Sequence, residues 1–328
     1  MIRRPRWSGR LVNDTTPERL TGSLTGVNDP RALSWRPVGE PDLPALADLA
    51  RECLAADGGQ PFAADPGFLR GRYLDGARAR GGWQGPQLVC ASALRRSGDG
   101  PGAAAVTTGL VRPQWRRRGL GGAAFDWAAG QARQPGEAGP VPLTADTEAL
   151  SDGAHALYLA RGLSQVLAED VMQLAATATP PPPPNPIAGL RLSTWEQAGP
   201  ARFYAVYRAS FRDRPGYPGW SQDRWADWIS ADDDFRAAWA LLATVDGTDA
   251  GFIVADAGGW IIQVGVVPAA RGRGLGAALV AEAVRLMRAG GQTVITLNVN
   301  VDNPRAADLY RRLGFTQAGR RARYAAVA

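Results

Sequence analysis

The chain contains the same two motifs twice, in the same order, and this duplication limits the folds that the sequence can adopt. The pattern V-x-P-x-x-R-x-x-G-L-G occurs at 111–121 and again at 266–276. A segment that begins with tyrosine follows each copy after a similar interval, at 158–163 and at 310–315. Repeated motifs at a near-constant spacing are typical of a tandem array of one structural unit. The sequence therefore predicts two related domains.

A proline-rich stretch marks the boundary between these domains. Residues 180–184 are consecutive prolines, which favour a stiff polyproline II spacer and cannot continue a helix or a central strand. The length of 328 residues also fits two domains of roughly 150 residues each. We therefore predict an N-terminal arm (1–30), a first domain (31–176), a linker (177–189) and a second domain (190–328).

Composition excludes several classes of protein. Apolar residues make up 45% of the chain, yet no apolar stretch approaches the roughly 20 residues of a membrane helix, and the first residues lack a secretory signal. Cys53 and Cys90 form no ligand cluster, so we expect no metal site and a reducing, cytoplasmic setting. All 37 basic residues are arginine, which excludes lysine chemistry. The net charge of +6 suits a phosphorylated small molecule, and we expect no nucleic-acid or membrane partner.

Hydrophobic periodicity predicts a mixed α/β fold for the second copy. The apolar positions of 275–289 recur every three or four residues, which is typical of an amphipathic helix. The first copy follows the same order of elements more loosely. For the second copy we expect helices at 198–210, 221–230, 275–289 and 303–312, and strands at 190–195, 238–246, 249–256, 260–267, 293–299 and 321–327.

The glycine-rich segment 271–277 lies between a predicted strand and a predicted helix, which is a favourable place for a phosphate group. Glycines let the backbone approach closely, the N–H groups of the first helical turn lack partners, and the helix dipole adds about half a positive charge. Arg271 and Arg273 add charged donors. The segment predicts a pyrophosphate site, with a purely structural glycine turn as the alternative.

A second alternative is a dinucleotide-binding loop, because Gly272, Gly274 and Ala277 satisfy G-x-G-x-x-G/A. The acidic residue expected about 20 positions later is missing, and Asn298 stands in the next strand instead. In the first copy, Arg117 occupies the position of Gly272. The pattern that both copies share is R-x-x-G-x-G, which disfavours a dinucleotide site.

This shared pattern, followed by N-x-x-A-x-x-L-Y-x-x-x-G-F at 303–315, resembles the GNAT superfamily of acyl-CoA-dependent N-acyltransferases. The resemblance covers almost all of the second half and, in the first half, mainly 103–130 and 141–165. Two such domains in a chain of this length are similar to the architecture of mycothiol synthases and of some antibiotic-tailoring acyltransferases. The resemblance implies two mixed-sheet, GNAT-like domains of the α/β class.

The resemblance also implies roles for residues of the second copy. The main chain at 264–266 is expected to pair with the pantetheine arm of the cofactor, and the amides of 271–277 to hold the pyrophosphate. Asn303 is expected to bond the pantetheine or its neighbouring loop. Tyr310 is the expected catalytic residue, which reprotonates the departing thiolate. The implied cofactor-binding residues are Val264, Gly265, Val266, Arg271, Gly272, Arg273, Gly274, Leu275, Gly276, Ala277 and Asn303.

The general base and the acceptor site are less defined. Many members of the family carry a glutamate on the strand before the phosphate loop, whereas this strand has Gln263 and no acidic residue at 260–263. A water chain that ends on Asp213, Asp256 or one of 232–234 is one alternative, although each of these aspartates also fits a loop or a helix cap. The segment 211–220 lies where the family places its acceptor-gating loop, and it fits either a wall for a ring-bearing acceptor or a rigid linker.

The first copy is expected to be partly degenerate. Ser151 replaces Asn303 and fits a helix N-cap, and His155 fits a packing position better than that of a base. We expect this copy to retain coenzyme A binding without turnover. Its residues that match the motif are Val111, Arg116, Gly119, Gly121 and Tyr158.

The sequence therefore predicts an enzyme that transfers an acyl group directly from acetyl-CoA or another acyl-CoA to an amine. The expected acceptor is a small molecule such as an aminosugar or a mycothiol-precursor-like compound. No cysteine lies in either motif, which argues against a covalent acyl-enzyme. The alternatives are a protein that binds or senses acyl-CoA without turnover, and a peptide- or antibiotic-tailoring acyltransferase that uses a longer acyl-CoA. The oligomeric state is left open.

Overall fold

A computed structural model describes residues 33–97, 104–133, 141–175, 177, 186–214 and 217–326. The predicted N-terminal arm at 1–30 and the proline run at 180–184 lie outside the described residues. The chain divides into two compact units. Unit 1 comprises the residues up to Glu169 together with those from Gly319 onward, and unit 2 comprises Asp170–Ala318.

Unit 1 is a mixed sheet with helices packed against it. Its strand order is β1-β2-β3-β4-β5-β12, in which β4 and β5 are parallel and the other neighbours are antiparallel. Its elements are β1 (Ser34–Pro37), α1 (Leu43–Asp57), α2 (Pro66–Tyr73), β2 (Ala77–Gln84), β3 (Gln87–Ser97), β4 (Ala104–Val111), α3 (Leu120–Arg133), β5 (Leu143–Thr147), α4 (Asp152–Ala160), the start of β6 (Ser164–Ala175) and most of β12 (Thr316–Ala325).

Helix α1 is held in unit 1 by one apolar face. Leu46, Leu49 and Cys53 recur every three or four residues and therefore share that face. Each is no more than 3% exposed, and together they pack in one cluster with Leu88 of β3. Burial of each leucine contributes roughly 1.5–3 kcal/mol. Gly58, with φ 66°, follows the last residue of the helix and ends it.

Unit 2 has the same arrangement of strands and helices. Its strand order is β7-β8-β9-β10-β11, and only β10 and β11 among these neighbours run parallel. The predicted α/β class with a mixed sheet is confirmed. The elements of this unit are the end of β6, β7 (Leu190–Thr194), α5 (Trp195–Ala198), α6 (Pro200–Phe211), α7 (Gln222–Ser230), β8 (Leu241–Val245), β9 (Thr248–Ala255), β10 (Trp260–Val266), α8 (Leu275–Ala289), β11 (Val294–Asn300), α9 (Pro304–Arg312) and the start of β12.

Helix α8 spans the residues that its periodicity predicts, and its apolar face forms the centre of unit 2. Leu279, Ala283 and Met287 have no exposed surface. They pack in one cluster with Ile253 of β9 and with residues of β11. Leu286, which the periodicity places on the same face, is only partly buried and lies at the edge of this cluster.

The structural division differs from the predicted domains at the end of the chain, because the residues from Gly319 onward belong to unit 1. The last strand also begins earlier than predicted, at Thr316. Its residues 322–325 pair with 144–147 of β5. A Cβ atom at Gly319 would lie 2.0 Å from the nitrogen of Gly59, so only glycine fits this contact. The boundaries of the linker at 177–189 and of the second domain at 190–328 stay a prediction.

Candidate active site

Strands β10 and β11 of unit 2 pair over only part of their length. Their parallel ladder contains Trp260↔Thr296 and Ile261↔Leu297. Directly after it, a β-bulge between Ile261 and Gln263 shifts the register of β10 against β9. Within the described residues, the main chain beyond the bulge thus has no ladder partner on the β11 side. An open strand edge inside a sheet can pair with an extended ligand.

The loop after β10 has the geometry of an anion site. Gly272 and Gly274 have φ 78° and 83°, a left-handed conformation that favours glycine. Gly274 is the N-cap of α8, so the first N–H groups of this helix lack helical partners. A Cβ added at either glycine would meet nothing within 4 Å. The loop therefore presents backbone donors to open space.

The two arginines of this loop keep their positive charge uncompensated. Arg271 donates from Nε to the carbonyl oxygen of Val266 at 3.1 Å and from a terminal nitrogen to that of Ser210 at 3.2 Å. Both acceptors are neutral. Arg273 is exposed, and no described carboxylate forms an ion pair with it. The loop thus combines a helix N-terminus with free cationic charge.

The matching loop of unit 1 has the same backbone. Gly119 has φ 82°, which is close to the value at Gly274. A Cβ added at Gly121 or at Gly276 would have equivalent neighbours at the same distances, a leucine at 3.4 Å and a valine at 3.9 Å. The repeated motif therefore folds in the same way in both units.

The charge of the unit 1 loop differs, because a carboxylate compensates its arginine. Arg116 donates two hydrogen bonds to Asp57, at 2.6 and 2.7 Å. Like Arg271, it also donates from Nε to a strand carbonyl, here that of Val111 at 3.1 Å. Asp57 is the last residue of α1. Unit 1 therefore has the cradle of backbone amides but less positive charge beside it.

Tyr310, the predicted catalytic residue, is buried on α9 with 6% of its surface exposed. Burial raises the pKa of its phenol to about 12, and the nearby Arg214 guanidinium opposes that shift. The phenol therefore stays protonated at neutral pH and can donate a hydrogen bond. Arg214 is a neighbour that the sequence motif does not indicate, because it lies far from Tyr310 in the chain.

Tyr158, the counterpart of Tyr310, lies in a different environment. Burial raises the pKa of its phenol strongly, and Tyr324 and Asp146 add to the shift. Its ring centre lies 4.8 Å from that of Tyr324. The Tyr324 hydroxyl lies 2.6 Å from Nδ1 of His155 and donates to Gln165 at 3.1 Å. A strand from the end of the chain thus packs directly on this tyrosine.

The strand ends near Tyr158 also differ from those of unit 2. The parallel ladder between β4 and β5 ends at the pair Thr107↔Ala145. Unlike β10 in unit 2, β4 has no bulge, because its register against β3 is continuous. Arg72 lies 3.6 Å from Asp146 and forms an ion pair with Glu148. Buried charged side chains therefore occupy the carboxyl end of β5.

Asn303 has a capping role in unit 2. Its side-chain oxygen accepts a hydrogen bond from the N–H of Ala306 at 3.2 Å. Ser151 caps α4 of unit 1 in the same way, through the N–H of Ala154 at 3.2 Å. The two residues are thus structural counterparts. The predicted contact of Asn303 with pantetheine would use its side-chain NH2 group.

The aspartates considered as bases differ in their surroundings. Asp213 is 83% exposed and lies 3.7 Å from Arg212. Asp256 accepts a hydrogen bond from the N–H of Trp260 at 2.9 Å. Asp234 is half-buried, and burial together with the charge of Asp232 raises the pKa of its carboxyl. None of these bonds points to a role in proton transfer.

The predicted acceptor-gating loop packs on α6 and α7 through its aromatic residues; Pro215 and Gly216 of this loop lie outside the described residues. The ring centre of Tyr217 lies 5.7 Å from that of Tyr207. The hydroxyl of Tyr204 donates to the carbonyl oxygen of Trp220 at 2.6 Å. This loop is therefore joined to a wall of aromatic rings.

That wall includes Trp225, which sequence reasoning missed. Trp225 is fully buried on α7, and its indole N–H donates to the side-chain oxygen of Gln263 at 3.2 Å. Ser210 was also missed, and its buried hydroxyl has no hydrogen-bond partner. Neither residue belongs to a motif, and only the fold brings them to β10.

An open strand edge, a bulge and a glycine-rich anion cradle at a helix N-terminus are the features expected of an acyl-CoA-dependent transferase. The Acetyltransferase (GNAT) family matches residues 201–315. The chain is 33% identical over 283 residues to a mycothiol acetyltransferase of Clavibacter michiganensis, covering 83% of this chain and 88% of that protein. A GCN5-related N-acetyltransferase from Sphaerobacter thermophilus superposes with a TM-score of 0.69 at 25% identity, over 89% of this chain and 95% of that one.

A tandem GNAT protein from the clavulanic acid biosynthesis pathway has the same fold, with a TM-score of 0.60 at 20% identity over 90% of this chain and 99% of that one. The chain belongs to the tandem GNAT family of N-acyltransferases, and it is an acyl-CoA-dependent N-acetyltransferase. Across the part of the chain that the structure describes, every helix is too short or too polar to span a membrane.

Proposed function

We propose that unit 2 transfers the acetyl group of acetyl-CoA to the amine of a small molecule, and that this acceptor is the unacetylated precursor of mycothiol or a related aminosugar. The observation that carries this proposal is the open edge of β10 beside a loop with uncompensated positive charge. The identity with a mycothiol acetyltransferase over most of both chains supports the choice of acceptor.

In this proposal the cofactor lies along β10. The main chain of 264–266 pairs with the pantetheine arm, and the amides of 271–277 hold the pyrophosphate together with Arg271 and Arg273. A short acyl group is favoured by the packing at Gly265. A Cβ at that position would lie 2.7 Å from Phe252 and 2.9 Å from Phe211, so that face has no space for a long chain.

The reaction is a direct transfer between cofactor and acceptor. The neutral amine attacks the thioester carbonyl, the C–N bond forms, the C–S bond breaks, and the amine loses one proton to water. Gln263 cannot accept that proton. An acceptor amine with the pKa of an α-amino group, near 7.7–8.0, is about 10–20% neutral at pH 7. Such an acceptor needs no carboxylate base.

Tyr310 stabilises the departing thiolate in this mechanism. With a phenol pKa of about 12 and a thiol pKa of about 8.5, full proton transfer would be unfavourable by about 5 kcal/mol. We therefore assign Tyr310 as a hydrogen-bond donor to the sulfur, and the thiolate takes its proton from solvent. Loss of a hydrogen bond to a charged group costs about 1.5–3 kcal/mol.

Unit 1 has a structural role in this proposal and does not turn over. Its cradle at Val111, Gly119 and Gly121 is compatible with coenzyme A. The ion pair of Arg116 with Asp57 lowers the attraction for phosphate. Tyr158 packs against Tyr324, and we assign no donor role to its phenol.

Mass spectrometry of a reaction with acetyl-CoA and the mycothiol precursor tests the proposal. We expect a product that is heavier by one acetyl group. Tyr310→Phe should lower kcat about 10- to 100-fold with the Kd of acetyl-CoA unchanged. Tyr158→Phe is the matched control and should leave kcat unchanged. Loss of turnover in the Tyr158 variant alone would assign catalysis to unit 1.

The two alternatives give different results in the same assay. A protein that only senses acyl-CoA would bind acetyl-CoA but release no coenzyme A with any amine. An enzyme for longer chains would use octanoyl-CoA better than acetyl-CoA. Either result would replace the proposed function.

A further inference from the structure

We propose that Gln263 is a positioning residue that donates a hydrogen bond from its side-chain NH2 group to an oxygen of the acceptor, close to the amine that is acetylated. This inference rests on the proposed function of unit 2. It gives a role to a polar side chain on a strand that has no acidic residue at 260–263.

The orientation of the Gln263 side chain is set by Trp225. An indole N–H can only donate, so the group that it contacts at 3.2 Å is the oxygen of the amide. The amide is planar, and its NH2 group therefore points away from the indole. Among the residues that the structure describes, this is the only hydrogen bond of the Gln263 side chain. Two donors are left for a ligand.

Trp225 itself has little freedom to move. Its side chain is fully buried and stacks on Tyr207 with ring centres 5.0 Å apart and planes at 21°. The edge of Phe252 contacts it at a centroid distance of 6.1 Å. A donor held in a rigid aromatic cluster fixes its acceptor as well. The Gln263 amide is thus pre-oriented before any ligand binds.

The β-bulge determines which way Gln263 faces. Ile262 packs in the aromatic cluster of α6 and α7, and normal alternation would place the next side chain on the opposite face. The bulge between Ile261 and Gln263 instead turns Gln263 toward the same cluster, where it contacts Trp225. The side chain is half-buried, so its NH2 group remains accessible.

The position of Gln263 limits which oxygen it can bind. It lies two residues before Gly265 on β10, at a distance of about 7 Å along the strand. The proposed pantetheine arm pairs with 264–266, so we infer that an acceptor at the end of this arm lies within reach of the Gln263 donor. The buried, unpartnered hydroxyl of Ser210 lies on the same face beside Gly265. Two polar groups on this face therefore lack protein partners.

Steady-state kinetics of variants test this role, with acetyl-CoA as donor and the mycothiol precursor as acceptor. Gln263→Met keeps the approximate shape and removes the donors. We expect the KM of the acceptor to rise about tenfold, with kcat and the KM of acetyl-CoA unchanged. Gln263→Glu keeps an oxygen for Trp225 but has no NH2 group, so it should raise the acceptor KM as well. Trp225→Phe frees the Gln263 amide to rotate and should raise the acceptor KM by a smaller factor. Thermal melting checks that each variant is folded.

With the mycothiol precursor as acceptor, two results would overturn the inference. One is an acceptor KM that stays unchanged in Gln263→Met. Another is a fall in kcat with an unchanged acceptor KM, which indicates a role in the chemical step or in folding. If the precursor is not acetylated, the proposed acceptor fails separately, and the variants are compared on L-alaninamide and isopropylamine. A preference of the wild type for L-alaninamide that Gln263→Met removes supports the inference, and any other result refutes it.

Discussion

A carboxylate placed in the proposed phosphate loop of unit 2 is the most direct perturbation of the proposed cofactor site. Gly274 has φ 83° and open space around its Cα, so Gly274→Glu adds left-handed backbone strain of about 1–2 kcal/mol and no steric clash. A carboxylate about 5 Å from the pyrophosphate repels each phosphate charge by about 3 kcal/mol at an effective dielectric constant of 20. We expect acetyl-CoA to bind at least about 100-fold more weakly.

Unit 1 supplies a matched control for this experiment. Gly119 has φ 82° and equally open surroundings, so Gly119→Glu causes the same strain in the other loop. Isothermal titration of acetyl-CoA should show that Gly119→Glu retains the tight site and that Gly274→Glu loses it. Gly274→Ala separates strain from charge and should bind nearly as well as the wild type. Wild-type affinity in Gly274→Glu would refute the assignment of the phosphate loop.

Three further predictions follow from buried groups. Burial raises the pKa of the Cys53 thiol to about 11 and that of Cys90 to about 12. Both thiols therefore stay protonated at about pH 8, and iodoacetamide, which reacts with thiolates, should leave activity intact. Rapid inactivation would contradict this prediction. Because burial also raises the pKa of Tyr310 to about 12, its donor form is lost only above that pH, and kcat should show no descending limb below about pH 10.5. A limb near pH 9 would exclude Tyr310 as the donor. Asp57→Asn should lower the free energy of unfolding by about 1–3 kcal/mol, because it leaves the half-buried Arg116 without its anion. Urea titrations measure this change. Unchanged stability would show that the ion pair contributes nothing.

Elements with a strong local signal could be predicted from the sequence. Helix α8 begins after Gly274, which is its N-cap and has a left-handed conformation, and its apolar period extends to Ala289. The anion cradle follows from the same glycines, since backbone conformation and helix start are both encoded within a few residues. Ser151 was predictable as a cap for the same reason, whereas the capping bond of Asn303 was not predicted.

Contacts between distant segments could not be predicted in this way. The last strand pairs with β5, although its own sequence shows only that it is a strand. The pair of Trp225 with Gln263 depends on a bulge and on the packing of α7. No spacing in the sequence indicates that these two residues meet.

The comparison of the two loops shows why a motif alone does not identify an active site. Both loops have the same backbone, because the same glycines and the same packing positions are repeated. Their electrostatics differ through residues outside the motif. In unit 1 the arginine of the loop meets the carboxylate of Asp57, whereas in unit 2 it meets only the carbonyl oxygens of Ser210 and Val266. A neutral partner orients the guanidinium and leaves its charge available to a phosphate, while a carboxylate partner cancels that charge. We therefore expect the affinity for coenzyme A to differ between the units although their motifs agree, because Asp57 in the last turn of α1 compensates the arginine of only one loop.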